Sequence, residues 1–229
     1  MKNKTLTVST TKQETIFGWM YLAFQLIALP GILSWANETM KLSEAEYHFC
    51  FFVINFIAVL LIFNKYLSRS FTQVLQHPSY FIQAVILGFV AYYACSWGIN
   101  KLFSWIAPGY TNANDASIAA LSKGNFFLMA IGTVVLVPLT EECLFRGLIF
   151  RNLYGKSHWA AYLVSIAAFA IIHIIGYIGV YSPVELLMAF LQYLPAGLCL
   201  GWAYIRGGTI FAPIIIHSMI NYISINGIR

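Results

Sequence analysis

Residues 126–150 read FFLMAIGTVVLVPLTEECLFRGLIF, an apolar run long enough to cross a ~30 Å hydrocarbon core as a helix. Thr140, Glu141, Glu142 and Arg146 are set in its second half. An ionisable side chain near the centre of such a helix costs roughly 2.5–3.5 kcal/mol on insertion scales, so these groups need partners, a water-filled cavity or a chemical task. Glu142 and Arg146 stand four residues apart on one helical face, where a charge-assisted pair neutralises both. Glu141 is rotated ~100° from its neighbour and does not share that arrangement equally. One glutamate therefore reads as structural and the other as free for chemistry.

The rest of the chain has the same solvent. Of 229 residues, 60% are apolar and only 9% charged, a balance outside that of soluble domains. Seven apolar stretches are long enough to span: Ile16 to Trp35, Tyr47 to Phe63, Tyr80 to Trp97, Phe126 to Phe150, Trp159 to Val180, Val184 to Ile205 and Thr209 to Ile225. The expectation is an all-α polytopic membrane protein of about seven transmembrane helices. With no linker or low-complexity run, residues 1–229 read as a single domain. The polar lead to Glu14 is not followed by a small-residue cleavage pattern, so the first span is expected to be retained.

Threading seven spans places Lys2, Lys4, Lys12, Lys65, Arg69, Arg151, Lys156 and Arg206 on one side and Lys41, Lys101, Lys123 and Arg229 on the other. This asymmetry predicts a cytoplasmic N-terminus and an outer C-terminus in the cell membrane. The net charge of +5 then reflects membrane orientation, and nothing in it points to nucleic acid. Ser43 with Glu46, and Ser182 with Glu185 and Pro183, fit helix-capping boxes. Asp115 to Lys123 reads as a short interfacial helix with Asp115 as its cap. Pro138, Pro195 and Pro213 each remove a backbone donor in the last spans. Cys50, Cys95, Cys143 and Cys199 lie singly in separate spans and read as core packing.

The fifth span holds Phe169 and His173 at i, i+4, and the seventh holds His217 and Asn221 at the same spacing, so each pair shares one face. A lone histidine in a membrane helix is more often an interhelical hydrogen-bonding residue than a catalyst. Two of them beside a buried acidic cluster shift that balance. His48, His77 and His158 sit at span boundaries or in a loop, and Gln192 reads as interhelical packing.

Several membrane hydrolases are excluded. Asp115 is the only aspartate, so no aspartyl dyad exists; no GxSxG or GxSG string occurs; and no histidine is followed by glutamate, which removes HExxH. What remains is a Glu-His-His-Asn set. A buried carboxylate beside a histidine acts as general base on water, and a second histidine with an amide suits an oxyanion. The same Glu141, His173 and His217 are also an acceptable zinc ligand set.

Glu141-Glu142-Cys143-Leu144-Phe145-Arg146 resembles the EExxxR motif of the CAAX protease and bacteriocin-processing (CPBP, or Abi) family, Phe169 to His173 its FxxxH motif and His217 to Asn221 its HxxxN motif. The resemblance covers about residues 124–221. It implies an intramembrane endopeptidase in which Glu141 and His173 activate water while His217 and Asn221 support the oxyanion. Glu142, Arg146 and Phe169 have supporting roles. It implies no metal cofactor, although the family was formerly classed with metalloproteases, and it implies a membrane-associated peptide or protein substrate. The compact chain looks like a bacterial member. The alternative is a non-catalytic membrane regulator or bacteriocin self-immunity protein; a proton-coupled carrier lacks the expected internal repeat.

Two spatial expectations follow from the threading. Measured from the span ends nearest the Arg151–His158 loop, Glu141 is ~13 Å deep and His173 ~22 Å, so tilt or a shifted span has to bring them level. Water and substrate are expected to enter from that cytoplasmic side.

Overall fold

The computed structural model describes residues 8–227. Lys2, Lys4 and Arg229, counted above for orientation, lie outside the described residues. Thr11 caps α1 (Lys12–Ile27) in a reciprocal box with Glu14. The expected first span is not continuous. A 51° bend at Ala28 separates α1 from α2 (Leu29–Met40), because Pro30 in the first turn of α2 has no N–H to carry the helix through. Ser43 and Glu46 form the expected capping box of α3 (Glu44–Ile62).

Asn64 to Gln76 form α4, an amphipathic helix that the span reading left as a loop. No side chain of its own caps α4. Instead Glu14 reaches across from α1, and its Oε1 accepts the Tyr66 backbone N–H at 2.7 Å. Helix α5 (Pro78–Ile106) runs nine residues past the expected Trp97, so Lys101 is helical. Asn112, rather than Asp115, caps α6 (Ala113–Gly124) by accepting from the Asn114 N–H.

The decisive fourth span is α7 (Phe126–Tyr154). It is wound as π-helix at Gly132–Leu136 and Cys143–Phe150, on either side of Pro138. A π turn inserts a residue and redirects backbone groups. At Gly132 the absent side chain makes room for the Phe52 ring, which a Cβ would strike. Helix α8 (His158–Ile174) ends six residues before the expected Val180. The sixth span breaks at Tyr193 into α9 (Pro183–Gln192) and α10 (Leu194–Gly207), with Pro195 in the first turn of α10. Gly197 brings α10 against Ile166 of α8, where a Cβ would lie 2.8 Å from Ile166 Cγ1. The chain closes with α11 (Phe211–Gly227).

The fold is all-α, with no strand among the described residues. Among the described residues, five helices are long and apolar enough to cross a membrane, or six where the bent α1–α2 pair is counted as one span. The seventh expected span, Thr209 to Ile225, falls on the 17 residues of α11 and is not among them. The chain is thus a multi-pass membrane protein. Ile57, Leu61, Trp97, Leu163 and Val184 are all more than half exposed, as a lipid-facing surface requires.

The two ends of the bundle differ. Around α4 and the second half of α7, Tyr66, Phe145, Leu148, Phe150, Leu200 and Tyr204 form a dry core in which the Tyr66 and Tyr204 hydroxyls share a 2.8 Å hydrogen bond. Toward α6 and the α8–α9 connection the helices part around a cavity. Of the cysteines, Cys143 and Cys199 are buried as expected for packing, whereas Cys95 is exposed and Cys50 half-buried.

Candidate active site

Residues 137–142 of α7, between its two π stretches, carry both glutamates, and the helix turn sends them to different neighbours. Glu142 is fully buried. Its Oε1 accepts from Arg146 Nη1 at 3.1 Å, the expected i, i+4 pair, and also from His217 Nδ1 of α11 at 2.9 Å. The Arg146 guanidinium lies 4.5 Å from the Phe169 ring centroid, a cation–π contact in a dry site.

Glu141 turns to the cavity. Its Oε2 lies 3.8 Å from His173 Nε2 and 4.0 Å from His217 Nε2, and that oxygen has no hydrogen-bond partner. The outer nitrogens decide what the inner ones present. His173 Nδ1 is 2.7 Å from the Phe169 carbonyl, which only accepts, and His217 Nδ1 meets a carboxylate. Each Nδ1 therefore carries its proton, and each Nε2 of a neutral ring offers a lone pair to the space before Glu141. Phe169 holds both rings, with centroids 4.7 Å from His173 and 5.8 Å from His217.

Asn221 lines the same cavity, but its Nδ2 donates to the Thr133 carbonyl at 2.8 Å. That carbonyl belongs to the first π stretch, so one of the two amide hydrogens has a fixed partner. Glu141, His173, His217 and Asn221 thus all line one cavity, while Glu142 and Arg146 sit behind it.

The difference in depth between Glu141 and His173 resolves through element lengths. Helix α7 continues to Tyr154, thirteen residues beyond Glu141, or ~20 Å at the helical rise, against ~22 Å from His158 to His173. The two groups are level because α7 is longer than read and α8 ends beside them.

Access is a correction. The cavity, of about 510 Å³, runs from the Glu141 carboxylate past Tyr92, Asn112 and Gln192 to exposed Asn100, Asp115 and Ile175. None of its lining comes from the Arg151–His158 side, where every residue from Cys143 to Phe150 is buried. The site opens at the end of the bundle opposite to the one expected.

Sequence reasoning missed three contributors. Tyr193 packs against His173, its ring tilted 32° with centroids 4.3 Å apart, and its only signal was its place before Leu194-Pro195 at a helix break. Gln192, read as interhelical packing, does bond across helices, accepting from Asn112 at 2.8 Å and donating to Asn100 at 3.0 Å, but it does so in the cavity wall. Thr133 contributes a carbonyl, which no side-chain pattern reveals.

Residues 123–223 match the family profile described as type II CAAX prenyl endopeptidase Rce1-like. This segment, from the end of α6 through most of α11, is similar to the CAAX protease (CPBP) family over those residues. It lies within the membrane-spanning bundle. No curated protein and no solved structure matches the chain.

Because Glu142 has two partners, Glu142→Gln leaves Arg146 in a dry site without a counter-charge and is expected to lower stability by up to ~3–5 kcal/mol. Thermal unfolding in detergent checks this. The double variant Glu142→Gln/Arg146→Met removes both charges and should recover most of the loss, but not the anchoring of His217.

Proposed function

We propose that the chain is an intramembrane endopeptidase that hydrolyses a peptide bond of a membrane-associated peptide with water activated by Glu141 and His173. The observation that supports this best is the spacing before Glu141. Distances of 3.8 and 4.0 Å between Oε2 and the two Nε2 atoms are too long for direct hydrogen bonds. They are short enough for one water oxygen, ~2.8 Å from its partners, to bridge them.

A water there donates one proton toward Glu141 and the other toward His173. As its oxygen attacks the peptide carbonyl carbon, Glu141 takes the first proton, and it returns that proton to the leaving amine as the C–N bond breaks. The carbonyl oxygen becomes an oxyanion facing His217 and the free amide hydrogen of Asn221.

Zinc is chemically acceptable to Glu141, His173 and His217. Among the described residues, however, no three His, Cys, Asp or Glu side chains form a group arranged to hold a metal ion. The mechanism is therefore written through the side chains alone.

Glu141→Gln removes the base and leaves no buried cation unpaired. Its cleavage rate is expected to fall roughly 10²- to 10⁴-fold with thermal stability nearly unchanged. Measuring peptide cleavage and unfolding on the same preparation tests the assignment; full activity in the variant would overturn it. Wild-type protein is expected to keep its rate after exhaustive chelation, whereas loss reversed by added zinc would establish a metallopeptidase.

The charge asymmetry of the described residues supports a cytoplasmic closed end. Lys12, Lys65, Arg69, Arg151, Lys156 and Arg206 lie at that end, against Lys41, Lys101 and Lys123 at the open one. The cavity then faces the outer side. Single cysteines at Lys156 and Ala116, in a chain stripped of its native four, should label from inside and outside respectively; the reverse pattern would turn the site toward the cytoplasm.

A further inference from the structure

Asp115, the chain's only aspartate, has no place in the hydrolytic step described above. The shift of the α6 cap to Asn112 leaves it inside the first turn, with its side chain directed into the same cavity as Glu141 and His173. The side chain is exposed to that space, and its carboxylate has no hydrogen-bond or ion-pair partner among the described residues. Protein nevertheless surrounds it closely. Burial holds the carboxyl above the ordinary aspartate range, and the neighbouring His173 partly opposes that effect.

Two further observations give the spot a chemistry. Tyr92 and Tyr193 line the same cavity as the carboxylate, and Tyr193 packs against His173 with ring centroids 4.3 Å apart. A cavity that offers both a carboxylate and tyrosine rings is a setting for a cation, held by charge and by the ring quadrupoles. The balance of charge in the lining agrees. Asp115 and Glu141 are its acids, and it contains no lysine or arginine, although the chain as a whole carries +5. A negative cavity in a basic protein selects for positive ligands.

We propose that Asp115, with Tyr92 and Tyr193, forms a specificity-determining subsite that holds a cationic group of the peptide substrate close to the bond being cut. The inference rests on the proteolytic reading of Glu141 and His173 and adds a substrate class to it. The cation is the side chain of a lysine or arginine, or the free amino terminus of a short peptide. Since Asp115 and His173 line one cavity, the cation sits within a few residues of the scissile bond, at ~3.3–3.6 Å per extended residue.

The experiment is a synthetic library of peptides with apolar flanks, made with and without N-terminal acetyl groups and presented to the full chain in detergent micelles. Products are sequenced for wild type, Asp115→Asn and Asp115→Lys, with Glu141→Gln as the blank and thermal unfolding as the check on folding. Glu141-dependent products should carry a positive charge at a fixed distance from the cut. Products that survive acetylation assign a side chain, and products lost on acetylation assign the terminal amine. Asp115→Asn should lower kcat/KM for cationic peptides roughly 10- to 100-fold while sparing neutral ones, between the worth of an exposed pair and that of a buried one. Asp115→Lys should turn the preference toward acidic peptides. Glu141-dependent products with no cationic position, or a preference unchanged in both variants, would overturn the subsite alone. Absence of any Glu141-dependent product would overturn the proteolytic reading and the subsite with it.

Discussion

The contact on which the remainder depends is the triple one at Glu142. A carboxylate and a guanidinium taken out of water each cost several kcal/mol, and their mutual attraction offsets this only with good geometry and further hydrogen bonds. Here the pair lies within one helix, so a single turn of α7 sets its geometry. His217 supplies the second bond to the carboxylate, and the Phe169 ring covers the guanidinium. Three helices, α7, α8 and α11, are thereby registered around one dry cluster. The same cluster fixes which ring nitrogen of His217 is protonated and holds Phe169 where its carbonyl orders His173. The wet face of the site is therefore arranged from behind by groups that never meet water.

Irregular backbone provides the wet face itself. Inside a bilayer, non-helical or overwound segments are tolerated only where other groups or a cavity satisfy the freed donors and acceptors. The bend at Ala28, the π stretch from Gly132 and the break at Tyr193 all carry residues of the cavity wall. At Gly132 the cause and the use are visible together. A glycine admits Phe52, the π winding that begins there redirects a carbonyl, and Asn221 from α11 donates to it. The asparagine that reads from the sequence as an oxyanion donor is thus also a tie between two helices.

What could be read from the chain follows from what lipid forbids. Charged groups in an apolar run are conspicuous, so Glu141, Glu142, Arg146 and the two histidines stood out, and the pairing of Glu142 with Arg146 followed from helix geometry alone. Capping boxes at Ser43 and Ser182 were equally legible, because they are local. Rotation and relative depth were not. In a soluble helix the polar face marks the outside, but here lipid and core are both apolar, and the pattern carries little sense of direction. The reading consequently placed the cavity on the wrong side of Glu141 and ended α7 four residues early. It also gave Asp115 the cap that Asn112 provides, since either residue suits that role and only the fold of the preceding loop decides between them.

Under the proposed hydrolytic reading, the two halves of the bundle answer opposite demands. A water molecule has to reach a carboxylate some 20 Å from the helix end, at ~1.5 Å per residue, yet the helices have to exclude water elsewhere to stay packed. The chain meets the first demand with amides and hydroxyls along the cavity wall, among which Asn100, Asn112 and Gln192 are bonded to one another. It meets the second with the aromatic core below Glu142, where Tyr66 and Tyr204 satisfy each other's hydroxyls. The boundary between wet and dry passes between two adjacent residues of one helix. Glu141 turns its Oε2 toward the cavity, and Glu142 faces the core with its Oε1 held by both Arg146 and His217. Successive helical positions differ by ~100°, and that rotation is what allows one helix to present one carboxylate to the cavity and a structural one to the protein within a single turn.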